Sequence, residues 1–145
     1  MDHHQRRQSC IYPTQVKTHN YHNIMKHFSI LLCLMSFVGC KAADFRSVDA
    51  ETFAQVIEDT TVVRLDVRTA NEYTQGHIPN ALLIDVTQAD FMQKAEQLLP
   101  KDKTIALYCR SGRRSKKAAM QLAQHGYKVV ELNTGFNSWK GEVEQ

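Results

Sequence analysis

The chain has 145 residues, 43% hydrophobic and 23% charged, which suits one globular domain with a core of its own. Its formal charge of +3 arises within residues 1–40, where Arg6, Arg7, Lys17 and Lys26 face only Asp2; the neutral remainder gives no basis for general nucleic-acid binding. The four cysteines form no C-x-x-C pair, which argues against a zinc knuckle and a thioredoxin-type dithiol.

Residues 1–24 are polar, rich in histidine and glutamine, and lack hydrophobic periodicity. They read as a disordered leader or as translation from an upstream start that is not the natural one. Five of the seven histidines precede Phe28 without any paired metal spacing, so they belong with that leader. A signal peptide over residues 25–40 begins afresh at Met25, with Lys26 and His27 as its basic start and residues 28–38 as its apolar core. As a helix this core would reach roughly 17 Å, against roughly 30 Å of bilayer hydrocarbon, so it is too short to span. It ends Phe37-Val38-Gly39-Cys40, which resembles a bacterial lipobox with Phe37 in place of the usual leucine. The expected product is a mature chain starting at lipidated Cys40, on the periplasmic side of the cell envelope and held to the membrane only by its lipid. A soluble periplasmic protein with a plain signal peptide is the alternative. Residues 41–44 form a tether, and the folded domain is expected over residues 45–145.

Within that domain, residues 45–48 read as a short edge strand and Asp49 as a helix N-cap, followed by the apolar face of Phe53, Val56 and Ile57. Residues 61–67 give the strongest strand signal. Residues 70–75 predict a turn or two of helix closed by Gly76, residues 81–84 another strand, and residues 91–99 a helix stopped by Pro100. Residues 104–108 form a branched and aromatic run that reads as a buried strand. Ala118, Ala119, Leu122 and Ala123 then recur at helical spacing, with Gly126 at the left-handed cap position. Residues 128–132 are the last strand, before a turn carrying Trp139. Strands alternating with helices imply an α/β fold: a parallel sheet of about five strands with helices on both faces.

The stretch Cys109-Arg110-Ser111-Gly112-Arg113-Arg114-Ser115 lies between that buried strand and the helix start. A strand-to-helix turn aims backbone N–H groups and the positive helix end at one point, which suits an anion. A thiol placed there ionises more readily, and the thiolate is the nucleophile. Arg110, Arg113 and Arg114 add positive charge.

This loop resembles the active-site loop of rhodanese-like sulfurtransferases, and two further stretches agree. Asp66-Val67-Arg68, Glu72-Tyr73 and Gly76-His77-Ile78-Pro79-Asn80-Ala81 are similar to the family's upstream signature, D-V-R, E-[FY] and G-H-I-x-x-A. Leu132-Asn133-Thr134-Gly135-Phe136-Asn137-Ser138-Trp139 is similar to its closing G-G-x-x-x-W segment, with Thr134 replacing the first glycine. The resemblance implies transfer of a sulfane sulfur from a donor such as thiosulfate to a thiophilic acceptor, cyanide or a thiol, through a Cys109 persulfide. It implies no metal and no organic cofactor.

On that reading Cys109 is the nucleophile, and Arg110, Ser111, Gly112, Arg113, Arg114 and Ser115 form the anion-binding loop. Gly112 supplies a backbone angle closed to side chains. Ser111 and Ser115 either donate to the anion or cap the helix. Arg110 sits at the rim, and Arg114 faces the pocket. Arg113, Lys116 and Lys117 share helical spacing and can equally be one solvated face. Asp66 and Arg68 support the loop from the neighbouring strand end, unless Arg68 simply pairs with Glu72 four residues on. His77 fixes its turn and is not needed as a base. Two other readings stand beside the enzyme: a persulfide carrier passing sulfur to a protein partner, and a cysteine phosphatase or arsenate reductase. The last needs a C-x5-R loop, whereas Arg114 gives C-x4-R and Ser115 occupies the arginine's place.

Overall fold

A computed structural model of the protein describes residues 44–145. The expected leader, signal peptide and lipidation site at Cys40, all but the last residue of the expected tether, and Cys10 and Cys33 lie outside the described residues. The elements run β1 (Arg46–Val48), α1 (Ala50–Glu58), β2 (Val63–Asp66), α2 (Ala70–Thr74), β3 (Leu82–Leu83), α3 (Phe91–Leu98), β4 (Thr104–Tyr108), α4 (Arg113–Gln124) and β5 (Lys128–Leu132). A 3-10 turn, Phe136–Ser138, follows.

All strand pairs are parallel, and the sheet order is β1-β5-β4-β2-β3. β4 is therefore central. Its residues Ile105 to Tyr108 are all buried, as a strand covered on both faces requires. Alternation along the strands divides two cores. Leu65, Ile105, Leu107 and Val129 face α3 and α4, meeting Phe91, Ala95, Ala118 and Leu122. Ala106, Tyr108, Val130 and Leu132 face the other way, onto Phe53 and Ile57 of α1. Helices thus cover both faces of a five-stranded parallel sheet, as the strand and helix alternation predicts.

Local chemistry fixes the element ends. Asp49 caps α1 by accepting from the Thr52 N–H at 2.8 Å. Thr69 and Glu72 form a reciprocal capping box on α2, a short helix that would otherwise hold poorly. β2 starts two residues later than the periodicity suggests. The Asp59 carboxylate accepts from both the backbone N–H and the hydroxyl of Thr61, which bends the chain before Val63. β3 shortens to two residues at the sheet edge.

One buried bond ties the upstream turn to the central strand. Tyr108, fully buried, accepts the Ile78 N–H on its Oη at 3.0 Å. Tyr108→Phe leaves that N–H without a partner and is expected to cost about 1–3 kcal/mol, read as a lowered midpoint in urea unfolding.

Candidate active site

β4 delivers Cys109 to the carboxyl edge of the sheet, and Gly112 caps α4 in the left-handed region at φ 89°. The two residues between them, Arg110 and Ser111, must therefore turn sharply within one loop. Cys109 is 1% exposed and is the free cysteine among the described residues. Burial pushes its thiol up. The Ser115 hydroxyl and the backbone N–H groups of Ser115, Ser111 and Gly112 outweigh that and hold it below its ordinary value. The sulfur thus lies in a cup of donors that favour its anion.

The cup is shaped from below by the chain leaving β5. Phe136 donates its N–H to the Cys109 carbonyl at 2.7 Å, and Asn137 donates to that of Arg110 at 3.0 Å. A side chain on Gly135, at φ 65°, would lie 2.6 Å from the Cys109 carbonyl oxygen and from the Ser111 nitrogen. A side chain on Gly112 would lie 1.9 Å from the Asn133 carbonyl oxygen. Two glycines on two segments thus permit one close backbone approach. The sequence pointed to Gly112 for its angle; the second constraint is the room it leaves for Asn133.

The other expected site residues separate into supports, a clamp and a rim. Asp66 and Arg68 are buried and pair, with Arg68 Nη2 2.6 Å from Asp66 Oδ2. Arg68 also donates to the Gly76 carbonyl at 2.7 Å and lies 4.2 Å from the Phe136 ring centroid. It braces the segment that holds the loop. The alternative pairing of Arg68 with Glu72 does not form. Glu72 instead takes both ends of the Arg114 guanidinium, at 2.6 and 2.7 Å, which locks α2 to α4. Hydrogen bonds from Arg114 draw the Glu72 carboxyl down to about 2, against burial. Glu72 and, less strongly, Cys109 hold Arg114 above its ordinary value.

Arg110, Ser111, Arg113, Lys116 and Lys117 are exposed. Arg110 lines a cleft of about 260 Å³ with Arg68, Glu72, Gln75, Gly76 and Phe136. His77 stacks on Tyr73 at 3.6 Å, and its Nδ1 lies 3.1 Å from the Tyr73 carbonyl, so it fixes its turn as expected. No group of three His, Cys, Asp or Glu among the described residues is arranged to hold a metal.

Sequence reading missed one residue of the site, Glu131. It is fully buried on β5, with Oε1 2.6 Å from Ser115 Oγ and Oε2 2.5 Å from Ser47 Oγ. Ser115 in turn lies 3.4 Å from the Cys109 sulfur and 2.9 Å from the Gly112 carbonyl oxygen; its hydroxyl does not cap α4, so of the two roles considered for it capping is not the one it takes. The available signal was an acidic residue between Val130 and Leu132, in a strand that is buried from Val129 onward.

Two outcomes follow from this geometry. Gly112→Ala is expected to slow alkylation of Cys109 by iodoacetamide roughly tenfold or more, with roughly 1–3 kcal/mol of strain, while Lys117→Ala on the exposed helix face changes stability by less than about 0.5 kcal/mol. The Glu72 carboxyl is depressed from 4.5 to about 2, so its contribution to stability is complete above about pH 4.5 and is lost as the pH falls toward 2. The stability gap between wild type and Glu72→Gln, measured by chemical denaturation, should hold at neutral pH and close across that acid window.

Comparison with known proteins gives the family of this chain. The family model described as Rhodanese-like domain matches residues 49–142. A sulfurtransferase of Allochromatium vinosum is 37% identical over 94 residues, covering 63% of this chain and 85% of its own. A thiosulfate sulfurtransferase of Coxiella burnetii is 31% identical over 87 residues, covering 59% of this chain and 78% of its own. The crystal structure of a rhodanese-related protein from Thermoplasma volcanium superimposes with a TM-score of 0.61 at 29% identity, over 69% of this chain and 98% of that one. The chain belongs to the rhodanese-like domain family, whose relatives include sulfurtransferases.

Proposed function

We propose that this protein moves a sulfane sulfur from a small anionic donor such as thiosulfate to a thiophilic acceptor, cyanide or a thiol, through a persulfide on Cys109. The observation that carries the reading is the buried sulfur held below its ordinary ionisation range by hydroxyl and backbone donors. The thiolate attacks the outer sulfur of thiosulfate; the S–S bond of the donor breaks, and sulfite leaves with its electron pair. The new persulfide ends in a sulfur anion, which the same N–H cup stabilises. An acceptor then attacks that outer sulfur, forms thiocyanate if it is cyanide, and returns the Cys109 thiolate. The exposed Arg110 gives an arriving anion a charge partner at the mouth of the cleft.

Phosphoryl chemistry fits this loop poorly. A cysteine phosphatase needs an arginine fork free to embrace two phosphoryl oxygens. Arg114 comes one residue early, and its fork is already engaged by both oxygens of Glu72.

The test is intact mass with and without thiosulfate, followed by turnover. The wild type should gain one sulfur, lose it on cyanide, and show negligible activity on aryl phosphates; Cys109→Ser should gain none. Loading without turnover on any small acceptor would favour the carrier role. Phosphatase activity lost in Cys109→Ser would overturn sulfur transfer.

A further inference from the structure

Glu131 is a buried acidic residue that the reaction above does not use. Its register neighbours are Ser47 on β1 and Leu107 on β4, and α4 presents Ser115 to it. Among the described residues no Lys, Arg or His nitrogen lies within 4.0 Å of its carboxyl. Its hydrogen-bond partners are the two hydroxyls alone. The titratable group facing it across Ser115 is Cys109.

Counting protons around Ser115 limits what this cluster can do. Its oxygen has three close neighbours: the Cys109 sulfur, the Gly112 carbonyl and Glu131 Oε1. The Gly112 carbonyl already accepts the Lys116 N–H at 3.1 Å and does not need the hydroxyl proton. A hydroxyl has one proton to give. If Glu131 and Cys109 were both anionic, they would compete for it, and the loser would keep only its other donors, Ser47 for Glu131 or the loop N–H groups for Cys109, while facing the lone pairs of Ser115. Two anions one hydroxyl apart in a buried site, with no cation beside the carboxyl and one proton between them, are unfavourable together.

We propose that Glu131 is a positioning residue that works as a neutral carboxylic acid whenever Cys109 is a thiolate. Starting from the thiol and the carboxylate, the S–H proton passes to Ser115 Oγ as the Ser115 proton passes to Glu131 Oε1. The S–H bond breaks, an O–H bond forms on Glu131, and Ser115 remains a hydroxyl. The single negative charge moves from carboxylate to sulfur, with no proton lost to solvent. Glu131 then donates to Ser115, and Ser115 donates to the sulfur. Ser47, donating to Oε2, fixes which carboxyl oxygen receives the proton.

The inference rests on Cys109 as the nucleophile, and infrared difference spectroscopy on protein with carboxyl-13C glutamate tests it. Alkylating Cys109 with iodoacetamide forms a thioether and releases iodide, which removes the sulfur anion; at neutral pH Glu131 should then release its proton to solvent and become a carboxylate. An isotope-shifted carboxylic-acid band should vanish and a carboxylate band appear, with neither change in Glu131→Gln. Glu131→Ala should slow alkylation about tenfold or more, and Glu131→Gln, which can still donate to Ser115, should recover most of that rate. An unchanged acid region on alkylation of the wild type would overturn the proposal, as would a folded Glu131→Gln as slow as Glu131→Ala. Normal alkylation and the expected bands in a protein that takes up no sulfur from thiosulfate would uphold it while removing the sulfur-transfer reading.

Discussion

Everything at this site depends on one close approach between two stretches of backbone. The loop leaving β4 and the turn leaving β5 meet at distances that only glycine tolerates, Gly112 against Asn133 and Gly135 against residues 109–111. Hydrogen bonds from Phe136 and Asn137 then hold the carbonyls of Cys109 and Arg110 outward, leaving N–H groups to converge on the sulfur. A backbone groups' orientation costs nothing further when the substrate arrives, which is what makes such donors effective toward a developing anion. The buried Asp66–Arg68 pair contributes at one remove, since Arg68 packs on Phe136.

Charge is layered around this frame by depth. Exposed Arg110 and Arg113 lie in water, where pairing is weak but anions can be attracted from a distance. Arg114, partly covered, is committed to Glu72 and joins two helices. Innermost is Glu131, with hydroxyls as its partners. The same loop thus carries cations at its exposed rim and uncharged donors where the sulfur sits. A free arginine inside the cup would suit phosphate better than a single sulfur atom.

Much of this was legible in the sequence, for reasons that differ by residue. The β4 and β5 boundaries could be read because branched and aromatic residues crowd a strand covered on both faces. Cys109 and Gly112 were legible because loop chemistry is local, and Gly126 because a helix end demands a left-handed residue, found at φ 85°. The Glu72–Arg114 pair spans 42 positions, so no spacing rule reaches it, and the i, i+4 rule pointed instead to Arg68. Glu131 escaped for a related reason. Its meaning lies in Ser47 and Ser115, brought to it by strand register and helix packing, and hydroxyls that distant leave no pattern. The late start of β2 was set by an aspartate-threonine turn stronger than the hydrophobic run that follows it.

The place of β5 in the sheet has a consequence for the order of assembly. Cys109 directly follows the central strand, yet its cup is completed by Gly135, Phe136 and Asn137, well downstream. During synthesis β4 emerges with β2 ready to pair, but the loop cannot take its final shape until the segment after β5 has cleared the ribosome and docked. Until then the thiol lacks the geometry that favours its anion. The lowered ionisation of the Cys109 thiol is therefore acquired late, as a property of the finished domain, and a nascent chain carries an ordinary cysteine.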